Sequence, residues 1–200
     1  GKIGDADELA HVEVQVERLE AEAGIDQGSV KLVPWIETAA AVVNAYGICA
    51  ASPRVLAVAF GAEDFTNDME IKRTIDGVEI AYPRQVVCVA ARAAGVLALD
   101  TPYVAHSDAV GLRRDARVAR DFGFRGKFAI HPSQIEPINE AFAPTDAELE
   151  YARRVVFAFK EAEESGSGAT SLDGQMIDIP VVKRARGILA LASKTVVTRE

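Results

Sequence analysis

The segment "VLAVAFGAEDFTNDM", residues 55–69, runs apolar to Gly61 and then sets down Glu63, Asp64 and Asp68. Another carboxylate, Glu37, follows the Pro-Trp-Ile of "VKLVPWIE" and precedes an alanine-rich stretch. Glutamate is a poor helix N-cap, whereas the adjacent Thr38 is a good one, so capping does not account for Glu37. Two carboxylates at the exits of successive apolar runs, Glu37 and Asp64, could share a hard divalent cation. Mg²⁺ takes one or two protein carboxylates and completes its octahedron with water and substrate oxygens. Gly61 lets the backbone approach a ligand closely, so the amides of Ala62, Glu63 and Asp64 could hold a carboxylate beside that ion. A cation flanked by amide donors suits a 2-oxo acid. Asp64 could equally cap the helix that follows it, and Asp68 reads as an ordinary solvated or capping acid.

Two other groups could take part. His131, placed before Pro132, is either an acid–base or binding group or a residue that orients its loop. Asp178 lies between Ile177 and Ile179, an apolar setting of the kind that raises a carboxylate pKa. Cys49 and Cys88 stand apart, without metal-ligand or CxxC spacing, and read as buried thiols in a reducing compartment.

These groups need elements to position them. Two hundred residues with 49% hydrophobic content can bury a core of ordinary domain size. The net charge of −8, from 30 acidic and 22 basic residues scattered along the chain, argues against a nucleic-acid partner. No stretch approaches the roughly 20 apolar residues that span a bilayer, and no secretory leader is visible, so the chain is read as cytoplasmic, with no membrane partner. It opens on "GKIGDADEL" without an initiator Met, which suggests a lost beginning.

Asp5 and Glu8 form a capping-box-like start to an amphipathic helix carrying Leu9, Val12, Val16 and Leu19 and ending at Gly24. Strands are expected at 30–36, 55–60, 96–100 and 127–132, with "KIG" (2–4) as the stump of another. Helices are expected over the alanine-rich 38–51, from Pro83 to Gly95, over 108–122 and around 133–142. Each clear strand runs into an ionisable residue: Glu37, Glu63-Asp64, Asp100 and His131. The strands are apolar on both faces and alternate with helices, as in an α/β fold with a covered parallel sheet. Such folds gather functional groups at the C-terminal ends of their strands. The strand count suits either about half of a (βα)8 barrel or an open doubly wound sheet, although no Gly-rich phosphate loop supports the latter. Beyond Pro144, Thr145 and Glu148 open a long helix. "SGSGATS" (165–171) then reads as a flexible linker, followed by a polar-apolar loop and a helix led by Pro180.

Taken in order, "IETA", "GAEDFTNDM", "GFRGKFAIHPSQIEPINEAF" and "DGQMIDIPVVKRARGI" resemble the citrate lyase beta-subunit-like proteins of the HpcH/HpaI aldolase superfamily, which includes malyl-CoA and citramalyl-CoA lyases. The resemblance runs over nearly the whole chain. It implies a (βα)8 TIM barrel, usually trimeric, with Mg²⁺ held by the "IE" glutamate and the "GxEDF" aspartate, here Glu37 and Asp64. It implies that the main chain at Ala62, Glu63 and Asp64 binds a 2-oxo acid, and that the "MID" aspartate, Asp178, is the catalytic acid–base, delivered by the tail into a neighbouring subunit. The expected activity is reversible cleavage of a 3-hydroxyacyl-CoA such as citramalyl-CoA, malyl-CoA or citryl-CoA into acetyl-CoA and a 2-oxo acid.

Family members also carry earlier strands, a "DLED"-like segment and an arginine that stabilises the enolate. "KIG" resembles the tail of the fourth strand. Residues 1–144 are therefore expected to hold the barrel from the end of strand 4 onward, and 145–200 a C-terminal helical extension. The absence of that arginine motivates an alternative, a non-catalytic subunit that binds metal and 2-oxo acid. A pyruvate-type aldolase acting on free hydroxy-oxo acids is another.

Overall fold

The computed structural model describes residues 3–197 and divides into two compact units, Gly1–Phe142 and Ala143–Glu200. In the first unit β1 (Trp35–Ile36), β2 (Ala57–Phe60), β3 (Leu97–Asp100) and β4 (Gly126–Lys127) form a parallel sheet in the order β1-β2-β3-β4. Spatial order follows chain order. A doubly wound sheet reverses direction at a switch point, and this one does not. With right-handed crossovers, a monotonic order carries every connecting helix over the same face.

Side-chain alternation identifies that face. Ile36 and Phe60 are paired in register, as are Asp100 and Lys127. Ile36 and Phe60 belong to the main apolar core, with Ala41, Ile48, Ile80, Val87 and Ala91 of the helices. The opposite row contains Trp35, Ala59, Leu99 and Gly126. In a flat sheet β1 and β4 would stand about 14 Å apart. Yet the Trp35 and Phe128 rings lie 4.7 Å apart between centroids. The sheet therefore bows, with this second row on its concave side.

The helices of this unit are α1 (Ala6–Ala23), α2 (Ala39–Val43), α3 (Ala45–Ala50), α4 (Ala62–Asp68), α5 (Val78–Ala94), α6 (Ala109–Phe122) and α7 (Ile135–Phe142). Asp5 caps α1 by accepting the Glu8 N–H, as its sequence leads one to expect. Its docking differs from expectation. Of the expected apolar stripe Leu9 is buried, but Val12 and Leu19 are exposed. The acids Glu13, Glu17 and Glu20 surround the buried Arg54, whose guanidinium donates to both Glu20 oxygens at 2.8 and 2.7 Å.

Other boundaries also shift. β1 is short because Pro34 supplies no N–H, although its carbonyl still accepts from Ala59 and Leu32 bridges Val55 before it. The alanine-rich helix is split at Asn44, which is non-helical and donates through its side chain to the Gly4 carbonyl. α5 starts at Val78, so Pro83 lies inside it rather than at its first position. The earlier start is anchored by Glu79, which accepts from the Thr74 amide, the Thr74 hydroxyl and Arg73. β4 ends at Lys127 and the chain then enters a 3-10 turn, Pro132–Gln134. Ile3 and Gly4 of "KIG" are not in a strand, and Lys2 lies outside the described residues.

The second unit pairs α8 (Asp146–Glu164) with α9 (Ile179–Val197). Thr145 and Glu148 form the expected capping box. Ala152, Val155 and Phe159 of α8 bury against Ile177, Val182 and Ala185. The segment read as a linker and loop contains a hairpin, β5 (Thr170–Leu172) with β6 (Gln175–Ile177), so Thr170 and Ser171 are strand residues. Asp173 and Gly174, both with positive φ, form its two-residue turn. Among the described residues no helix is long and apolar enough to cross a membrane.

Candidate active site

One residue beyond the paired strands, alternation returns the chain to the concave side. Glu37, Gly61, Thr101 and Phe128 occupy that row. The parallel ladder reaches it through Gly61 N–H to the Ile36 carbonyl at 3.0 Å and Phe128 N–H to the Asp100 carbonyl at 3.0 Å. Glu37 packs directly on Gly61. A Cβ at position 61 would lie 2.7 Å from Glu37 Cβ, 2.8 Å from its Oε2 and 3.3 Å from Trp35. A side chain at 61 would displace Glu37, so the glycine permits the carboxylate to lie across the exit of β2.

α4 begins at the next residue. The first amides of a helix have no partner within it. The Ala62 N–H donates to the buried Thr101 hydroxyl at 3.1 Å, so this amide, expected to face a ligand carboxylate, is engaged by the protein. The Thr101 carbonyl in turn accepts from Lys127 Nζ at 2.7 Å. Asp64 lies exposed in the first turn of α4. Glu63, also exposed, pairs with Arg73 Nε at 3.4 Å. Asp68 accepts the Ala39 N–H at 2.7 Å and thus caps α2 together with Thr38, which accepts from Ala41.

The carboxylate of Asp100 points the other way. It is fully buried on the helix side, where Arg84 donates to both oxygens at 3.0 and 2.7 Å and Lys127 donates at 2.6 Å. Asp115 of α6 closes the set, 3.1 Å from Arg84 and 2.5 Å from Lys127. Burial opposes the charge on Arg84, but Asp100 and Asp115 outweigh it and raise its pKa. Burial likewise opposes the Asp115 carboxylate, and Lys127 and Arg84 bring its pKa down. This balanced quartet joins β3, β4, α5 and α6. Asp100, one of the ionisable strand ends, is therefore a structural residue.

His131 caps the 3-10 turn. Its Nδ1 accepts the Ser133 N–H at 3.2 Å, which leaves the proton of a neutral ring on Nε2. The ring stacks on His106, from the loop after β3, at 5.5 Å. Asp178 belongs to the second unit, where it caps α9 by accepting the Val181 N–H at 3.2 Å. Its expected apolar enclosure is one-sided within this unit, since Ile177 is buried but Ile179 is 67% exposed. Cys49 and Cys88 are buried, and burial pushes their thiols up to about 11 and about 12. Neither suits a nucleophile.

Thr101, Arg73 and the stacked His106 went unread in the sequence. Thr101 follows an expected strand directly, but threonine there carries no charge to draw notice.

Glu37 and Asp64 thus stand at the exits of β1 and β2, one lying over Gly61 and the other in the following helical turn. Among the described residues no three His, Cys, Asp or Glu side chains gather into a closed metal site. A donor set of two hard carboxylates fits Mg²⁺, which keeps positions for water and substrate, better than a metal that needs four protein ligands.

Over residues 2–132 the chain matches the family described as HpcH/HpaI aldolase/citrate lyase. The citrate lyase subunit beta of Leuconostoc mesenteroides subsp. cremoris is 41% identical over 192 residues, which cover 96% of this chain and 64% of the relative. The mitochondrial citramalyl-CoA lyase of Rattus norvegicus is 37% identical over 172 residues, covering 82% of this chain and 51% of the relative. A crystal structure of CitE from Mycobacterium tuberculosis in complex with magnesium, acetoacetate and coenzyme A superposes with a TM-score of 0.74 at 33% identity, over 90% of this chain and 73% of that one. A citrate lyase structure from Burkholderia xenovorans LB400 gives a TM-score of 0.86 at 26% identity, over 97% and 62%. The chain spans about half to two thirds of the length of the two relatives compared by sequence.

Proposed function

Because the chain belongs to the HpcH/HpaI aldolase/citrate lyase family, we propose that it acts as a Mg²⁺-dependent carbon–carbon lyase on a 3-hydroxyacyl-CoA, releasing acetyl-CoA and a 2-oxo acid. The observation that carries this reading is the Glu37 carboxylate laid across Gly61 at the exit from which Asp64 follows. Its kinship with citrate lyase beta subunits and citramalyl-CoA lyase, and with a CitE that binds magnesium and coenzyme A, supports the thioester class.

In this reading Glu37 and Asp64 hold the metal. Bound there, Mg²⁺ orients the 2-oxo acid and supplies Lewis acidity toward its carbonyl. The Glu63 and Asp64 amides take the substrate carboxylate, and Ala62, anchored on Thr101, sets the turn that presents them. His131 offers Nε2 to the substrate at the rim, with Nδ1 committed to Ser133. In the cleaving direction the 3-hydroxyl gives up its proton, the C2–C3 bond breaks, and the acetyl-CoA enolate takes a proton at carbon. Asp178 is the acid–base for that proton. We place it in a neighbouring subunit's site within a trimer. The sheet is read as part of a (βα)8 barrel, and the enolate formed in this step calls for stabilisation by positive charge.

Purified full chain supplied with Mg²⁺ and citramalyl-CoA, malyl-CoA or citryl-CoA tests the proposal by loss of thioester and appearance of 2-oxo acid. Turnover of a thioester, and none of the free acids, is expected. Cleavage of free hydroxy-oxo acids without coenzyme A would move the assignment to a pyruvate-type aldolase. Calorimetric binding of pyruvate or oxaloacetate with no turnover would make the chain a binding subunit.

A further inference from the structure

Asp68 follows Asp64 by one helical turn, which places both carboxylates on the same face of α4. Its Oδ2 accepts the Ala39 N–H at 2.7 Å. Ala39 opens α2 and stands two residues after Glu37. This hydrogen bond therefore ties the segment that carries Glu37 to the helix that carries Asp64. The strand ladder aligns the two chains as far as the bond from Gly61 N–H to the Ile36 carbonyl, after which each turns into its own helix. Thr38 already satisfies the Ala41 N–H from within α2, so local capping is supplied without Asp68. The acceptor for Ala39 comes instead from the far end of the opposite helix.

We propose that Asp68 is a positioning residue that sets the separation of Glu37 and Asp64, and with it the affinity of the pair for a divalent cation. The inference rests on the reading of Glu37 and Asp64 as the Mg²⁺ ligands. Groups one bond removed from a metal site hold its ligands in orientation, and their loss typically costs about 10–100-fold in metal affinity. Asp68 reaches the backbone two residues beyond Glu37 rather than a ligand itself, which places the expected effect at the lower end.

Isothermal titration of Mg²⁺ into the full chain separates the possibilities. Asp68→Ala removes the acceptor. Ala39→Pro removes the donor from the other side, at a first helical position that favours proline and after an extended Thr38 that tolerates it. Both variants should bind Mg²⁺ about tenfold more weakly than wild type. Asp68→Asn keeps an oxygen acceptor and should restore affinity to within about twofold. Circular dichroism checks that each variant is folded, and Ala39→Pro carries the test if Asp68→Ala is not. Wild-type affinity in both Asp68→Ala and Ala39→Pro would overturn the proposal, as would an Asp68→Asn protein as weak as Asp68→Ala. Asp64→Asn is the reference: if it binds Mg²⁺ like wild type, the metal reading itself fails, and the Asp68 inference fails with it for a distinguishable reason.

Discussion

The Glu37 side chain lies across Gly61 so closely that a Cβ at position 61 would meet Glu37 Cβ at 2.7 Å and its Oε2 at 2.8 Å. Strand pairing brings the two residues together, and the missing side chain at 61 leaves room for the carboxylate. Gly61→Ala must therefore push Glu37 aside or bend the exit of β2. The expected result is a loss of about 1–3 kcal/mol in urea unfolding, as for other overpacked sites. Thioester cleavage should fall by more than the small change in folded fraction explains. An alanine variant with unaltered turnover would show that Glu37 need not lie where it does.

The quartet of Arg84, Asp100, Asp115 and Lys127 predicts a large structural effect. Arg84→Ala strips one cation from the fully buried Asp100 carboxylate and leaves Lys127 still paired with it. Removing one member of a buried pair costs about 3–5 kcal/mol. Equilibrium urea denaturation should register a loss of that order, because the quartet joins β3 and β4 to α5 and α6. A loss below about 1 kcal/mol would place these charges in a far more hydrated setting than their burial indicates.

Acid should loosen α1 through Glu20. Hydrogen bonds from Arg54 first, then from the Gly28 and Val30 amides, bring its carboxyl pKa from 4.5 to about 2 against the opposing effect of burial. A carboxyl depressed in the folded state adds stability that is fully present above its unfolded pKa, near 4.5, and is lost as the pH falls toward 2. Urea midpoints of the wild type should drop across that window more steeply than those of Glu20→Gln. Parallel profiles for the two proteins would remove Glu20 from the acid response.

The strand exits drew notice in the sequence because parallel strands are apolar on both faces, so an ionisable residue such as Glu37 or Asp64 just beyond them stands out. Alternation beyond the strand ends then separates look-alikes. Asp100 sits one residue short of the concave row and turns to Arg84, while Thr101 occupies that row unnoticed. The start of α5 was hidden for a different reason. Pro83 is a conventional first-turn signal, whereas the contacts of Glu79 with Thr74 and Arg73 that begin the helix a turn earlier depend on how the preceding loop folds. The β5–β6 hairpin carried its own mark, Asp173-Gly174, obscured by the Gly- and Ser-rich stretch before it. For α1, helical spacing of apolar residues pointed to Val12 and Leu19, but the buried charge of Arg54 recruits the acidic face instead.

The most direct measurement is the initial rate of citramalyl-CoA or malyl-CoA cleavage by wild type, Glu37→Gln and Asp64→Asn across a Mg²⁺ titration, with EDTA as the zero. Wild type should depend on Mg²⁺. Each variant should lose about 100-fold or more, since charge stabilisation worth several kcal/mol corresponds to tenfold for every 1.36 kcal/mol. Wild-type rates in Asp64→Asn, or cleavage undiminished by EDTA, would contradict the assignment of Glu37 and Asp64 as the centre of the reaction.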